Sequence, residues 1–285
     1  MSCSNIVVIG GDGQLGTDLV KELNAYPLTH EDIEVCDKIN VDRVLVRLKP
    51  KIVINCAAYV DVDGCEENPK KAFFVNAIGA KYIADVCNKI DAINFYISTD
   101  MVFDGKKGNY KEEDIANPIN VYGLTKYAGE ILTRNYCKKY YIIRTASLFG
   151  IKGSKTKSNF IEKIIAKAKK KEKLKVVDDI KSNPTYTKDV AKAIKEIIKK
   201  EIPFGVYHLT NKGYCSWYEL AKQVLKFLKL PISIEPIKFC ELNLRAKRPQ
   251  NSSLSIDKLT QHGIIMRGWE NALKDYLKDR YFNSQ

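Results

Sequence analysis

Along the first 150 residues, short apolar runs alternate with longer amphipathic stretches. Residues 6–9 (Ile-Val-Val-Ile), 52–54 (Ile-Val-Ile), 94–97 and 141–143 are apolar at nearly every position. Strands without polar alternation are covered on both faces, as in a parallel sheet. Residues 17–24, 41–48 and 72–90, and the stretch around 121–130, carry apolar positions at helical spacing. This alternation predicts an α/β fold, a doubly wound parallel sheet of the Rossmann type. After Gly150 the pattern loosens. Helices are expected at 159–171, 187–200, 216–228 and from about Trp269, with strands at 174–177 and 204–209. Residues 1–150 therefore read as the Rossmann domain. Residues 151–285 read mainly as a smaller α+β substrate domain, with some segments returning to the first.

The first strand runs into Gly10-Gly-Asp-Gly-Gln-Leu-Gly16, a Gly10-x-x-Gly13-x-x-Gly16 triplet directly before a helix. Glycines there let the backbone turn tightly and approach a pyrophosphate at the helix N-terminus. In this strand–turn–helix context the triplet points to a dinucleotide, held by Gly10, Gly13, Gln14, Leu15 and Gly16. An acid at the end of the second strand favours NADH by binding the ribose 2′-hydroxyl. Thr29 and His30 stand near that end, and the acids arrive slightly later. The reading leans to NADPH, with NADH left open.

Composition narrows the class without choosing a chemistry. The chain has 285 residues, with 45% hydrophobic and 28% charged positions, ordinary values for a globular protein. No apolar run reaches membrane-spanning length. The eight cysteines are scattered, with no Cys-x-x-Cys, which argues for reduced thiols in the cytoplasm and against a zinc site. The N-terminus leads straight into a strand-like run, so no signal peptide is expected. The net charge of +13 raises nucleic-acid binding as an alternative. The lysines fall on helix exteriors, however, as in residues 160–171, where Phe160, Ile164, Ile165 and Ala168 share the other face. A solvated surface and an anionic small-molecule substrate account for the charge, with no nucleic acid and no membrane as partner.

Tyr122 and Lys126 are four apart in a helix-like stretch, so their side chains share a face. A phenol beside an ammonium can serve as a proton donor, the cation lowering the phenol pKa. The spacing alone is weak, because Tyr218 and Lys222 repeat it. Context separates them: Ile97-Ser-Thr99 ends a strand, and strand ends are where open α/β sheets bind ligands.

These pieces resemble the extended short-chain dehydrogenase/reductase family, and within it the dTDP-4-dehydrorhamnose reductases. The resemblance covers nearly the whole chain. It includes Gly13-Gln-Leu-Gly16, Val53-Ile-Asn-Cys-Ala-Ala-Tyr59, Phe74-Val-Asn-Ala77, Ser98-Thr-Asp-Met-Val-Phe-Asp-Gly105, Val121-Tyr-Gly-Leu-Thr-Lys-Tyr-Ala-Gly-Glu130 and Arg248-Pro-Gln-Asn-Ser-Ser-Leu254. It implies a catalytic set of Thr99, Tyr122 and Lys126, with Tyr122 and Lys126 also touching the cofactor. It implies cofactor contacts from Ala57, Ala58 and Tyr59, and Asn76 tying its helix to the sheet. Substrate contacts are implied at Ser98, Met101, Ser147, Asn159 and Arg248, the last suited to a diphosphate. Asp63 and Glu66 raise the question of a metal, but an acidic loop needs none.

The implied activity is NADPH-dependent reduction of a 4-keto group on a nucleotide-linked deoxy sugar, feeding polysaccharide synthesis, by a homodimer. Three departures fall near the expected sugar pocket. Ser147 stands where the family has tryptophan, residues 179–185 lack the usual glutamine and glycine, and Met101 replaces a tyrosine. The sugar and base are therefore open. The alternative is a non-catalytic NADP-binding regulatory subunit, resembling the β subunit of methionine adenosyltransferase.

Overall fold

The computed structural model describes residues 5–152 and 159–282. Its centre is a six-stranded, wholly parallel sheet: β1 (Ile6–Ile9), β2 (Tyr26–Leu28), β3 (Ile52–Asn55), β4 (Ile93–Thr99), β5 (Tyr140–Thr145) and β10 (Gly205–His208), in the order β10-β5-β4-β3-β1-β2. The intervening short strands are β6 (Leu148–Phe149), β7 (Leu174–Val177), β8 (Lys181–Ser182) and β9 (Thr185–Tyr186). The sheet confirms the doubly wound α/β expectation. Its strands are apolar throughout because both faces are covered: Val8, Ile52 and Ile54 enter one core, and Val7, Ile9 and Val53 the other. Helices α1 (Gln14–Leu23) and α8 (Thr187–Lys200) cover the first face; α2 (Lys38–Leu48) and α5 (Gly79–Lys89) cover the second.

The chain passes from β1 to β2 on one side, then returns to β3 on the other side of β1. That reversal opens a crevice at the carboxyl ends of β1 and β3, the usual ligand position in such sheets. Helices α3 (Val62–Glu67), α4 (Pro69–Phe73) and α6 (Val121–Tyr136) lie around its far side. The expected helix at 72–90 is α4 and α5 joined through a π turn, Phe74–Ile78. The π turn re-aims Asn76, whose Oδ1 accepts from Tyr59 N (2.8 Å) and whose Nδ2 donates to Thr125 Oγ1 (3.0 Å). Asn76 thus ties the β3 loop to α6.

The second half supplies α7 (Phe160–Lys169), α9 (Trp217–Phe227), α10 (Asp257–Gln261), α11 (Trp269–Tyr281) and strands β11 (Cys215–Ser216) and β12 (Ile234–Ile237). Strand pairs β7–β12 and β8–β11 join this half together, and β6–β9 ties it to the end of the first half. A separate core around Phe149, Tyr186, Leu220, Leu273 and Tyr276 holds α7, α9 and α11 in place. Meanwhile α8 and β10 belong to the central sheet layer, so the chain crosses between the halves more than once.

Candidate active site

A cavity of about 530 Å³ lies over the carboxyl edge of the sheet. Its walls include the glycine turn after β1, the ends of β3, β4 and β5, the first turns of α6, and residues of α7 and α9.

At the turn, Gly10 has φ +74° and donates from its N to Leu28 O (2.8 Å). A Cβ on Gly16 would lie 2.0 Å from Gly10 O, so only glycine lets α1 start this close to the turn. The helix N-cap, Gly13, offers no side-chain acceptor, and the first turn holds no acid. An anion can therefore use those amides. Gln14 Nε2 is buried and has no hydrogen-bond partner among the described residues, although Gln14 lines the cavity. A close-approach turn and an orphaned amide are what a dinucleotide diphosphate would need.

The other expected cofactor residues divide. Leu15, Ala58 and Gly13 line the cavity, as does Cys56. Ala57 and Tyr59 do not; their amides are committed to Asn55 Oδ1 (3.0 Å) and Asn76 Oδ1 (2.8 Å). Thr29 is outside the cavity lining too. Its N and Oγ1 both donate to Asp32 Oδ2 at 2.8 Å, which folds the acid back onto the end of β2. Sequence order alone places that acid beyond the strand end.

On the opposite wall, Asn120 caps α6 by accepting from Gly123 N (2.7 Å), and Glu66 Oε1 accepts from Val121 N (2.8 Å). A Cβ on Gly123 would lie 2.0 Å from Met101 O, so that glycine seats the first turn of α6 against the residues after β4. Tyr122 is thereby brought close enough to Thr99 for that side chain to influence its phenol. Thr99 Oγ1 donates to Asp100 Oδ1 (3.0 Å) and accepts from Met101 N (3.2 Å). Asp100 also accepts from Ser252 Oγ, and burial pushes its carboxyl up to about 6 against those hydrogen bonds. Burial raises the Tyr122 phenol, the neighbouring Asp100 adds to that, and the Thr99 side chain opposes it.

Lys126 is 2% exposed. Its Nζ donates to Ile97 O (2.6 Å) and lies 4.2 Å from the Tyr96 ring centroid. Burial lowers its pKa to about 7, with Glu130 and Cys56 opposing. From the sequence, Lys126 is expected to lower the phenol pKa. In the structure the lysine also donates to a backbone carbonyl, and burial is the largest influence on both groups.

The expected substrate residues also divide. Met101, Ser147 and Arg248 line the cavity. Ser147 has φ +42°, an uncommon left-handed conformation, and its Oγ pairs with Ser182 Oγ. Ser98 lines the cavity as well, while its hydroxyl donates to Glu130 Oε1 (2.5 Å) inside the protein. Asn159 lines the cavity while its side chain is engaged in capping: Oδ1 accepts from Glu162 N (2.9 Å), and Nδ2 donates to Gly150 O (3.2 Å) and Tyr276 Oη (3.1 Å). Arg248 donates to Asp63 Oδ2 (2.8 Å) and Ala246 O (2.8 Å). Burial would raise the Asp63 carboxyl, but the Ala246 amide and Arg248 outweigh it and hold it low. Asp63 and Glu66 therefore serve a loop and a helix cap, and no cluster of three His, Cys, Asp or Glu residues suited to a metal occurs among the described residues.

Sequence reasoning missed Asp100, Lys163, Ile180, Ser182, Trp217 and Ser252, all of which line the cavity. Asp100 and Ser252 sit inside motifs already singled out, so adjacency was the available signal. Lys163 and Trp217 have no local signal, because only the packing of α7 and α9 brings them to the site. Tyr218 and Lys222, the decoy pair, are absent from the lining.

A family model described as the RmlD substrate binding domain matches residues 4–282. The chain belongs to that family. Among its relatives is a spore coat polysaccharide biosynthesis protein, SpsK, of Bacillus subtilis (strain 168), 37% identical, covering 97% of this chain and 98% of that one. A dTDP-4-dehydrorhamnose reductase of Aggregatibacter actinomycetemcomitans is 33% identical, covering 95% and 98%. Of solved structures, the dTDP-4-dehydrorhamnose reductase of Bacillus anthracis str. Ames in complex with NADP superposes with a TM-score of 0.91, at 34% identity, over 96% of this chain and 98% of that one. The Thermus thermophilus UDP-glucose 4-epimerase shares the fold at 18% identity and a TM-score of 0.81, over 98% and 99%. For this RmlD-family chain no described helix is long and apolar enough to cross a membrane.

Proposed function

We propose that the protein reduces the 4-keto group of a nucleotide-linked deoxy sugar with NADPH, in polysaccharide precursor synthesis. The observation that carries this reading is the convergence of Thr99, Tyr122 and Lys126 in one cavity with the glycine turn. The reductase names of the relatives, and NADP in the Bacillus anthracis structure, support both substrate class and cofactor.

Gly10, Gly13, Gln14 and Gly16 would hold the dinucleotide diphosphate, and Lys126 and Tyr122 its nicotinamide end. The cofactor supplies the hydride. Thr99 would hold the sugar carbonyl by turning to it the hydroxyl proton that it gives to Asp100 in this structure. Tyr122 Oη gives its proton to the carbonyl oxygen as the C–H bond forms, leaving an alcohol and an oxidised cofactor. The raised phenol pKa keeps that proton in place until a negative charge develops beside it. Lys126 steadies the resulting phenolate with its positive charge.

The substrate face is formed by Met101, Ser147, Ser182, Lys163 and Trp217, with Arg248 at the rim. Residues 1–150 then act as the cofactor domain and 151–285 mainly as the substrate domain, with α8 and β10 lent back to the sheet. The apolar exposure of Leu124 and Ile131 on α6, beside Phe73 and Phe74, supports a homodimer through this layer. The free thiols among the described cysteines support a cytoplasmic site of action.

The test is NADPH oxidation, followed by nicotinamide absorbance, with 4-keto-6-deoxy sugars carried on dTDP, UDP and GDP. Turnover with at least one of them is expected. Folded protein that binds NADPH yet oxidises it with none of them would refute the proposal.

A further inference from the structure

Beneath the cavity floor lies a row of buried charged and polar groups that the reduction as described does not use. Glu130 is on α6, four residues beyond Lys126, and is 1% exposed. Its Oε2 accepts from Arg144 Nη2 (2.7 Å), and its Oε1 accepts from Arg144 Nε (3.0 Å) and Ser98 Oγ (2.5 Å). Arg144 is 4% exposed, and its Nη1 lies 3.5 Å from His208 Nε2. His208 Nδ1 faces the carbonyls of Tyr110 (3.0 Å) and Ser255 (3.2 Å), so Nδ1 carries the proton and Nε2 presents its lone pair to the guanidinium. His208 is therefore neutral, a state that burial and Arg144 both enforce.

The row leaves two buried cations, Lys126 and Arg144, on either side of one buried anion. A lone buried ammonium tends to lose its proton, since desolvation penalises the charged form. Lys126 and Glu130 share a helix face at i,i+4, and β4 binds both: Ile97 O takes the lysine, and Ser98 Oγ holds the carboxylate. A bidentate clamp gives Glu130 a fixed position, which a free glutamate at this spacing would lack. We infer that Glu130, clamped by Arg144 and Ser98, is a positioning residue whose carboxylate keeps Lys126 charged for the reaction. The inference rests on the reading that Tyr122 and Lys126 are the reacting pair.

Among the described residues, the other titratable groups around the lysine work differently. Cys56, at the end of β3, is a thiol pushed up to about 12 by burial and stays neutral. Tyr96 on β4 and Tyr122 on α6 are phenols raised by burial. Asp100, after β4, is bonded to Thr99 and Ser252 on the Tyr122 side, and Cys65 of α3 is also a buried neutral thiol near that phenol. Arg144 on β5 is bonded to Glu130 on the side away from the phenol, and His208 on β10 is uncharged. Glu130 is thus the anion that offsets both cations.

The test has two arms. In cofactor-free protein with ¹³C-labelled lysine, NMR reads the Lys126 titration, assigned by its loss in Lys126→Met. The near-isosteric Glu130→Gln should lower the midpoint by about one pH unit or more. Arg144→Gln should raise it, because Glu130 then faces Lys126 alone. In the second arm, the falling alkaline limb of kcat/KM should move in the same two directions. Between pH 6 and pH 8 Glu130→Gln should lose about fivefold more activity than wild type loses, and Glu130→Asp should restore the wild-type limb.

Midpoints unmoved in the folded variants, with a uniform drop in kcat at all pH values, would overturn the inference and leave a packing role only. If Glu130→Gln does not fold, Arg144→Gln carries the same test from the other side. The NMR arm needs no substrate. A moved midpoint without turnover on any keto sugar would count against the proposed reaction and not against the charge coupling.

Discussion

Replacing Lys126 with methionine should stabilise the protein while abolishing its reaction. Lys126 is 2% exposed, and burial brings its pKa from 10.5 to about 7. At about 1.4 kcal/mol per pKa unit, holding the ammonium inside costs on the order of 5 kcal/mol below pH 7. The hydrogen bond to Ile97 O returns about 1.5–3 kcal/mol of that, because its donor is charged. Methionine fills similar volume without a charge, so Lys126→Met should gain about 3 kcal/mol at pH 6. The sign of the pH dependence follows from proton counts. Between pH 7 and the unfolded value near 10.5, the unfolded chain holds a proton that the folded lysine has lost. Wild-type stability therefore rises with pH relative to the variant, by about 2 kcal/mol from pH 7 to pH 9. Urea unfolding of both proteins at pH 6, 7, 8 and 9 measures the difference, and NADPH oxidation measures the activity. A methionine variant less stable than wild type at pH 6, or a gap that stays constant up to pH 9, would refute the reasoning.

Tyr122→Phe should lower kcat about 100-fold or more with NADPH affinity unchanged, as measured by steady-state kinetics and cofactor fluorescence; near-wild-type turnover would remove Tyr122 as the proton donor. Gly16→Ala should weaken NADPH binding by about tenfold or more and lower Tm, because its Cβ would meet Gly10 O at 2.0 Å; calorimetric titration checks it. Asp100→Asn should raise stability by about 2–3 kcal/mol at pH 7 and change little at pH 4, as read by urea unfolding at the two pH values. Its folded pKa of about 6 exceeds the ordinary 3.8, so the wild-type carboxyl loses stability as pH rises from 4 through 6. Arg248→Ala should raise KM for the nucleotide sugar about tenfold and leave the NADPH Kd unmoved; equal change in both would assign Arg248 to holding its loop alone.

The sheet was readable because parallel strands are apolar on both faces, which removes the need to know their partners. Even so, the three-residue β2 and the strand pairs of the second half left little trace, since two or three residues carry no period. The reacting pair was readable through context. Tyr122 and Lys126 match Tyr218 and Lys222 in spacing, and only the strand-end hydroxyl and glycine turn told them apart. The substrate side was the least legible. Ser98 and Asn159 carry suitable groups, yet their side chains are directed into Glu130 and the start of α7. Lys163 and Trp217 reach the cavity from helices with no distinguishing motif.

By itself the sequence determined the layered α/β architecture, the glycine turn and the identity of the groups that can move a proton. Those properties depend on neighbours within a few residues: an apolar run, a missing Cβ, a helical spacing of four. The tertiary structure decided which of those groups are free, which are committed and which are charged. Desolvation follows from packing of the whole sheet, and Arg144 meets Glu130 and His208 from 14 and 64 residues away in the chain. No local pattern encodes either. It is that burial, and not the spacing of Tyr122 and Lys126, that sets the protonation of the lysine on which the site depends.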